Sequence, residues 1–223
     1  MLSKGRLIVL EGIDGSGKSS QYRRICARME KDGIDYNHIV FPRYDKDSSA
    51  LIRMYLSGQF GTHPDDVNAY AASTFYAVDR FASFREDWGK TYENGGLIIS
   101  DRYTTSNAVH QASKLPESER KAYLDWLFDL EYRLLGLPKP NLVIYLDMPT
   151  EITEQMMRRR EQTTGTHADI HEQDETYLKN CRANAKEIVK ACGWSVVDCA
   201  EDEKPRTPED IHAQVYQLVK KLL

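Results

Sequence analysis

The chain has 223 residues, 41% of them hydrophobic and 29% charged, and its formal net charge is -4. This composition excludes a disordered chain, and the length predicts a single folded domain over residues 1–223. The negative net charge provides no field that would hold nucleic acid or an anionic membrane, so we expect neither as a partner. No apolar stretch reaches the length of a membrane span, and no leader-type cleavage site follows the N-terminus, which predicts a cytoplasmic protein.

The cysteines and histidines do not indicate a disulfide framework or a zinc site. C-x-x-C spacing is absent, which predicts reduced and mostly buried thiols at Cys26, Cys181, Cys192 and Cys199. His167 and His171 supply two ligands, whereas zinc needs three or four. A zinc cofactor is therefore not expected.

Short apolar segments rich in β-branched residues alternate along the chain with longer segments of helical periodicity. Strands are predicted at residues 6–11, 38–41, 97–100, 142–147 and 194–198. Helices are predicted from Lys18 to about Asp32, from Pro64 to about Trp88 and from about Glu117 to Leu135. This alternation predicts an α/β fold in which a five-stranded parallel sheet is flanked by helices on both faces.

A polar stretch from Gln162 to Asp169 separates two predicted helices late in the chain. Its Thr-Thr-Gly-Thr-His-Ala run lacks the periodicity of a helix or a strand. Polar connections that a rigid scaffold positions often carry function. The pattern predicts a mobile lid at about residues 158–172.

The first predicted strand leads directly into a glycine-rich turn, Gly12-Ile-Asp-Gly-Ser-Gly-Lys-Ser19. The string matches G-x-x-x-x-G-K-[ST] between a strand and a helix, which is the context that a phosphate-binding loop needs. In such a loop the backbone N–H groups face the phosphates, Lys18 reaches the β and γ phosphates, and the Ser19 hydroxyl ligates Mg²⁺. The predicted ATP-binding residues are Gly12, Asp14, Gly15, Ser16, Gly17, Lys18, Ser19 and Ser20.

A phosphate-binding loop does not define the reaction, because GTPases, ATP-driven motors and small-molecule kinases share it. The sequence contains no N-K-x-D string and no comparable guanine-reading string. The chain is also too short for the additional domains of a motor. These observations favour a small kinase. A regulatory switch that hydrolyses ATP or GTP without an acceptor is the alternative from a different class.

Several strings, in their order along the chain, resemble those of the thymidylate kinase family: Glu11 to Ser20, Phe41-Pro-Arg-Tyr44, Tyr76-Ala-Val-Asp-Arg80, Asp101-Arg-Tyr103 with Ser106-Asn107, and Leu137-Pro-Lys-Pro140. The resemblance covers nearly the whole chain. It implies a P-loop kinase fold and transfer of the γ-phosphoryl group of ATP to dTMP with Mg²⁺, giving dTDP for dTTP synthesis. It also implies a homodimer, with the helix from Asp66 to Trp88 as a candidate interface. Kinases of dUMP, dCMP or a deoxynucleoside are the alternatives within the same reaction type.

The acceptor is expected where the strands end, because ligands of open α/β sheets bind at the carboxyl edge. Phe41, Pro42 and Arg43 follow the second predicted strand, and Arg43 is predicted to clamp a phosphate. Tyr76 and Arg80 are four residues apart and share one helix face. The resemblance implies thymine stacking for Tyr76 and a phosphoryl contact for Arg80. A core aromatic residue beside a solvated arginine is the alternative interpretation of this pair.

Further polar residues surround the end of the third predicted strand. Asp101 is expected to orient Mg²⁺ or its water, and Arg102 to bridge the donor and acceptor phosphates, roles that the resemblance supports. Ser106 and Asn107 are expected to contact the nucleoside, although a helix N-cap explains Ser106 equally well. In the family, the carboxylate that matches Asp14 contacts the sugar 3′-hydroxyl. Capping of the loop is the alternative role of this aspartate.

Many thymidylate kinases carry an arginine inside the phosphate loop, where this chain has Gly15. The run Arg158 to Arg160 is expected at the end of the helix before the lid, and its first and last residues match the family's lid arginines best. A solvated basic helix end is the alternative. The predicted catalytic residues are Lys18, Asp101, Arg102, Arg158 and Arg160. No general base is predicted, because the acceptor phosphate is already ionised.

His110 departs from the family pattern, since many relatives have Phe or Tyr at this point near the sugar and base. We expect its ring to fill the space beside C2′ and to favour deoxyribose over ribose. Unchanged discrimination between dTMP and UMP in His110→Ala would contradict this expectation.

Overall fold

The structure, a computed structural model, describes the backbone of residues 4–164 and 169–223, and the side chains of these residues except Arg160 and Thr164. The main sheet has five parallel strands in the order β2-β3-β1-β4-β5. They are β1 (Arg6–Glu11), β2 (Asn37–Val40), β3 (Leu97–Asp101), β4 (Leu142–Asp147) and β5 (Ser195–Asp198). The predicted α/β fold with a five-stranded parallel sheet is confirmed.

Strand β1 occupies the centre of the sheet because both of its faces are apolar. The residues from Leu7 to Leu10 are fully buried. Alternate residues join the hydrophobic cluster around Trp88 on one face and the cluster around Met29 on the other. A continuous apolar run of this kind is typical of a parallel strand that helices cover on both sides.

The described part of the chain contains nine α-helices around this sheet. They are α1 (Lys18–Lys31), α2 (Ala50–Leu56), α3 (Ala69–Ser83), α4 (Gly89–Glu93), α5 (Thr104–His110), α6 (Glu117–Phe128), α7 (Thr150–Thr164), α8 (Glu175–Cys192) and α9 (Pro208–Lys220). Helices α1 and α9 pack together on one face. Helices α5 and α8 pack together on the other face, where Val109 and Tyr177 meet Tyr145 of β4.

The register of the central strands brings their carboxyl ends together. Asp101, the last residue of β3, pairs with Leu10 of β1 and with Val40 of β2. Polar residues that follow these strands therefore meet at one edge of the sheet, where ligands of open α/β sheets bind.

The long predicted helices are interrupted where local hydrogen bonds override periodicity. Pro64–Asp66 forms a single 3-10 turn, and α3 begins only after Asn68, whose Oδ1 accepts a hydrogen bond of 2.9 Å from the backbone N of Ala71. A π-helical turn then occupies Phe84–Trp88. The predicted helix over residues 117–135 ends in the same way, with α6 followed by a π-helical turn at Asp129–Leu134.

Two further features differ from the prediction. Helix α7 continues to Thr164, so the run Arg158 to Arg160 lies inside the helix rather than at its end. A short antiparallel hairpin, β6 (Ala200–Glu201) with β7 (Lys204–Pro205), is absent from the predicted elements. Its turn places Asp202 and Glu203 at φ of 49° and 59°, whereas such turns usually carry glycine or asparagine, so the sequence gives no turn signal there.

The cysteines follow the prediction only in part. All four are free, Cys181 and Cys199 are buried, Cys26 is half-buried and Cys192 is exposed. Two thiols, rather than most of them, are therefore buried. Within residues 4–164 and 169–223, no helix combines the length and the apolar character that crossing a membrane requires.

Candidate active site

The phosphate loop joins β1 to α1 and borders a cavity at the carboxyl edge of the sheet, which we call the loop cavity. Its lining includes Asp14, Gly15, Ser16, Gly17, Lys18, Ser19 and Ser20. Gly15 has a φ of 75°, and a Cβ atom there would lie 2.7 Å from the carbonyl oxygen of Thr153. Because α7 approaches the loop this closely, position 15 has no room for the arginine that many thymidylate kinases carry.

Lys18 is the cation of the loop, and its side chain is folded into it. Its Nζ donates hydrogen bonds to the carbonyl oxygens of Gly12 and Ile13, at 2.7 and 2.9 Å. Burial lowers the pKa of Lys18, and the nearby charge of Arg102 lowers it further. An ammonium group has three donors, so it can keep these contacts and still meet an anion in the loop.

A second cavity, which we call the inner cavity, adjoins the loop cavity. The residues that line both are Asp14, Phe41, Pro42, Tyr44, Arg102 and Asp169. The predicted acceptor residues Tyr76, Arg80, Ser106, Asn107 and His110 line the inner cavity alone. Two ligands can therefore lie end to end, with Arg102 where they meet.

Asp14 and Arg102 form an ion pair at this junction. Arg102 has a φ of 66°, a left-handed conformation that costs a non-glycine residue free energy and is concentrated at functional sites. Burial raises the pKa of Asp14, but the charges of Arg102 and Lys18 outweigh burial and hold this pKa well below its ordinary value. Asp14 therefore faces the two cavities as a carboxylate.

Glu11 is a site residue to which the sequence assigned no role. It is fully buried at the end of β1, and its Oε1 accepts a hydrogen bond of 2.9 Å from the backbone N of Gly12. Its Oε2 accepts hydrogen bonds from the hydroxyls of Thr105 and Ser106, at 2.8 and 2.7 Å. The guanidinium of Arg102 lies 3.8 Å from Oε1. Glu11 thus connects the phosphate loop to α5. The sequence signal that could have identified it is a glutamate at the end of an apolar strand.

Helix α5 presents polar groups to the inner cavity. Tyr103 is its N-cap residue, so the N-cap explanation of Ser106 is wrong. Asn107 lines the cavity, and its Nδ2 donates a hydrogen bond of 3.2 Å to the carbonyl oxygen of Ser73. Gln111, absent from the predicted site, also lines it, and its Oε1 is a buried acceptor without a partner among the described residues.

Asp101 and Ser19 lie together beside the phosphate loop. Oδ2 of Asp101 is 3.4 Å from Oγ of Ser19. Oδ1 of Asp101 is buried and has no hydrogen-bond partner within the described part of the chain. Carboxylate and hydroxyl oxygens are the donors that Mg²⁺ prefers, and Mg²⁺ sites commonly combine one or two carboxylates with phosphate oxygens. The pair therefore fits a divalent cation bound together with a nucleotide.

Tyr76 and Arg80 lie on the same face of α3 and line the inner cavity, as their spacing predicts. Arg80 is buried, and its Nε and Nη2 donate to the carboxylate of Glu131 at 2.6 and 2.5 Å. Its Nη1 is 3.4 Å from the carbonyl oxygen of Tyr103, and Thr104 donates a hydrogen bond of 2.7 Å to Glu131. The alternative of a solvated arginine is therefore wrong.

Arg43 lies outside both cavity linings, although the sequence predicts a phosphate clamp there. Its Nε donates to Asp79 at 3.2 Å, and its Nη1 donates to Glu86 and Asp87 at 3.1 and 2.7 Å. Three carboxylates therefore already compensate this guanidinium. These partners were not predictable from sequence, because the fold brings them from α3 and the turn that follows it.

Arg158 also lies outside the loop cavity. It is exposed, and its Nη2 is 3.5 Å from Oε1 of Glu175, beside a third cavity bordered mainly by glutamates. The side chain of Arg160 lies outside the described part of the structure. Helix α7 presents Met156 and Met157 to the loop cavity. The predicted lid falls partly on α7, partly on residues 165–168, which are not described, and partly on the turn at residues 169–172.

Three further residues of the inner cavity, Tyr44, Asp169 and His171, are absent from the predicted site. Oδ1 of Asp169 accepts hydrogen bonds from the backbone N of His171 and of Glu172, at 2.9 and 3.0 Å. Burial and the neighbouring charge of Asp14 raise the pKa of Asp169 to about 7. Tyr44 could have been found, because it ends a string that resembles the family. Asp169 and His171 lie in a segment without a recognisable motif, so the sequence did not identify them.

Comparison with known proteins gives a consistent result. The family model for thymidylate kinase matches residues 10–211. The thymidylate kinase of Mycobacterium tuberculosis is 31% identical over 84% of this chain and 87% of that protein, and a probable thymidylate kinase of Methanosphaera stadtmanae is 30% identical over 88% and 93%. The solved thymidylate kinase of Candida albicans shares the fold, with a TM-score of 0.72 and 20% identity, covering 98% of this chain and 92% of that one. The chain therefore belongs to the thymidylate kinase family.

Proposed function

We propose that the chain carries out its family's reaction, the ATP-dependent phosphorylation of dTMP to dTDP, with ATP in the loop cavity and dTMP in the inner cavity. Family membership makes it a nucleoside monophosphate kinase, which is a phosphotransferase. The observation that carries the arrangement is that Arg102 and Asp14 line both cavities. One guanidinium can therefore orient the acceptor phosphate against the γ-phosphoryl group. Such positioning, together with charge stabilisation, supplies most of the catalysis of phosphoryl transfer.

The phosphate loop holds the triphosphate of ATP in this proposal. Its backbone N–H groups and the N-terminus of α1 face the anion, and Lys18 lies within the same turn. Ser19 and Asp101 would hold Mg²⁺, with the hydroxyl of the first and the Oδ1 of the second, which has no hydrogen-bond partner among the described residues. When bound, the ion neutralises charge on the phosphates. Asp101 also keeps Ser19 oriented toward the loop, because the two side chains already touch.

The inner cavity suits a thymine nucleotide. Tyr76 offers an aromatic face for the base, and Asn107 and Gln111 offer amide groups for its polar edge. Arg80 is neutralised by Glu131, so it presents an N–H donor without a net charge. Such a group suits a base carbonyl better than the phosphate that the resemblance implied.

The sugar and the phosphate of dTMP lie nearer the junction. Asp14, ionised and shared by both cavities, accepts a hydrogen bond from the 3′-hydroxyl. Arg102 meets the acceptor phosphate, and Phe41 and Pro42 form the wall beside it. No residue needs to act as a general base, because the attacking oxygen is already ionised.

The arginines of α7 complete the site when the lid closes over the phosphates. Arg158 is held only by an exposed pair with Glu175 at 3.5 Å, and such pairs contribute little free energy, so it can be released at small cost. Arg160 is the second arginine of this proposal. Closure would exclude water and so limit the hydrolysis of ATP.

We further propose a cytoplasmic homodimer without nucleic-acid or membrane partners, in keeping with the net charge of -4. Helix α3 supports the dimer, because Tyr70, Val78 and Phe81 are 39%, 55% and 39% exposed, and their spacing places them along one side of the helix. Light scattering should give the mass of two chains, and Val78→Glu should give the mass of one. A monomeric wild type at working concentration would contradict the dimer.

The function is tested by ADP release from ATP and Mg²⁺ with dTMP, dUMP, dCMP, AMP, thymidine or no acceptor. We expect release to depend on dTMP, with partial activity on dUMP, because a pocket for one methyl group contributes only about 1–3 kcal/mol. Arg102→Ala should lower kcat/KM for dTMP by about 10²- to 10³-fold, as loss of a charge-stabilising group at the reacting atoms does.

The matched control is Arg133→Ala, which removes an exposed arginine that pairs, within the described part of the chain, only with Asp129 and that borders neither cavity. Its activity should equal that of the wild type. Equal ADP release with and without acceptor would instead identify an ATPase or a switch, and the proposal would be abandoned.

A further inference from the structure

We propose that His110 is a positioning residue, whose ring nitrogen accepts a hydrogen bond from Arg102 and thereby fixes the guanidinium at the junction of the two cavities. The inference rests on the proposed function, since it concerns the arginine that meets the acceptor phosphate. This role differs from the expectation that the His110 ring fills the space beside C2′ of the sugar. What position 110 requires is an acceptor at the place of Nε2.

The chemistry of the pair fixes the state of the histidine. Nε2 of His110 lies 3.2 Å from Nη1 of Arg102. A guanidinium has only donors, so Nε2 must be the acceptor, and the neutral ring carries its proton on Nδ1. Burial lowers the pKa of His110 to about 3, so the ring stays neutral and keeps its acceptor over the working range of pH.

The contact is the shortest one that this nitrogen of Arg102 makes. Nη2 of Arg102 donates a hydrogen bond to Asp14. Nη1 lies 3.2 Å from His110, 3.4 Å from Ser106 and 3.8 Å from Glu11. Without His110, Nη1 would keep only the two longer contacts. The guanidinium would then be free to turn about its bond to Asp14, away from the phosphate.

The main chain and ring of His110 are held from several sides. Its carbonyl oxygen accepts hydrogen bonds from the hydroxyls of Ser113 and Tyr177, at 2.7 and 3.0 Å. Its ring lies parallel to that of His171, with an angle of 8° and centres 6.2 Å apart. The residue is 4% exposed, so its ring has little room to change rotamer.

His171 is in turn anchored from behind. Its Nε2 lies 2.8 Å from the hydroxyl of Tyr55, and Lys114 donates a hydrogen bond of 2.7 Å to the same hydroxyl. A column of side chains thus runs from Lys114 through Tyr55 and His171 to His110, and it ends on Arg102. The contacts between its members are hydrogen bonds and ring packing, which hold His110 in position.

Four variants distinguish a hydrogen-bond acceptor at position 110 from a side chain that only fills space. Gln places its amide oxygen where Nε2 lies, Asn places it where Nδ1 lies, and Phe keeps a ring without an acceptor. We expect His110→Gln to keep kcat/KM for dTMP within about threefold of wild type. His110→Phe and His110→Asn should lose about 10- to 100-fold, mainly in kcat, because a charged donor loses its shortest hydrogen bond. His38→Phe, the same change at an exposed histidine, should have no effect.

A double-mutant cycle provides the second measurement. In the Arg102→Ala background, His110→Phe should change the kinetics less than about twofold, because the interaction has already been removed. The proposal is overturned if Phe retains activity and Gln does not, if Gln and Asn behave alike, or if the two changes are additive. The Gln and Asn pair keeps the test valid should the Phe variant fail to fold. A wild type without dTMP-dependent turnover would refute the proposed function itself, which distinguishes the two failures.

Discussion

Removal of the carboxylate of Glu131 should strongly destabilise the fold, because it leaves a buried cation without a partner. Both side chains of the Arg80–Glu131 pair are at most 2% exposed, and two hydrogen bonds of 2.6 and 2.5 Å join them. Breaking one partner of such a buried pair costs about 3–5 kcal/mol. For a chain of this size each kcal/mol corresponds to about 2–4 °C, so Glu131→Gln should lower the melting temperature by about 6–20 °C.

Urea unfolding followed by circular dichroism measures this loss directly. The matched control is Asp129→Asn, two residues earlier on the same π-helical turn, where the carboxylate forms an exposed pair with Arg133 and the unfolding midpoint should not change. The double variant Arg80→Met with Glu131→Leu should recover much of the lost stability, since an apolar pair replaces the buried ions. A loss below about 1 kcal/mol in Glu131→Gln would refute the reasoning that the pair is fully desolvated.

Two further changes test the loop and the inner cavity. Gly15→Ala should destabilise the fold by about 1–3 kcal/mol and raise the KM for ATP, because a Cβ at φ 75° would lie 2.7 Å from the Thr153 carbonyl oxygen; unchanged unfolding and KM would contradict this geometry. Protonated Asp169 stabilises the fold below about pH 4, and this contribution is lost as the pH rises to about 7, because burial raises its folded-state pKa above 3.8. The free energy of unfolding of Asp169→Asn should therefore rise relative to that of wild type by about 2–3 kcal/mol between pH 5 and pH 8, and a pH-independent difference would exclude a raised pKa.

The parts of the fold that the sequence predicted are those governed by local pattern. The buried strands appear as β-branched apolar runs, and the phosphate loop appears as a fixed string between a strand and a helix. Helix ends were less accurate, because the cap at Asn68 and the π-helical turn at Phe84–Trp88 depend on individual hydrogen bonds and packing. Residues of the inner cavity were found where they follow strands or share a helix face, as Arg102 and Tyr76 do.

The sequence by itself determined the chemistry available, namely a phosphate loop, an α/β frame and a set of arginines near the strand ends. Only the tertiary structure decided which arginine lies where it can serve the reaction. Each of the three is paired with at least one carboxylate, but Arg43 borders neither cavity, Arg80 borders only the inner one, and Arg102 borders both. The physical reason is that the effective charge of a guanidinium depends on partners distant in sequence, such as Glu131 and Asp14, and only the folded chain brings them together.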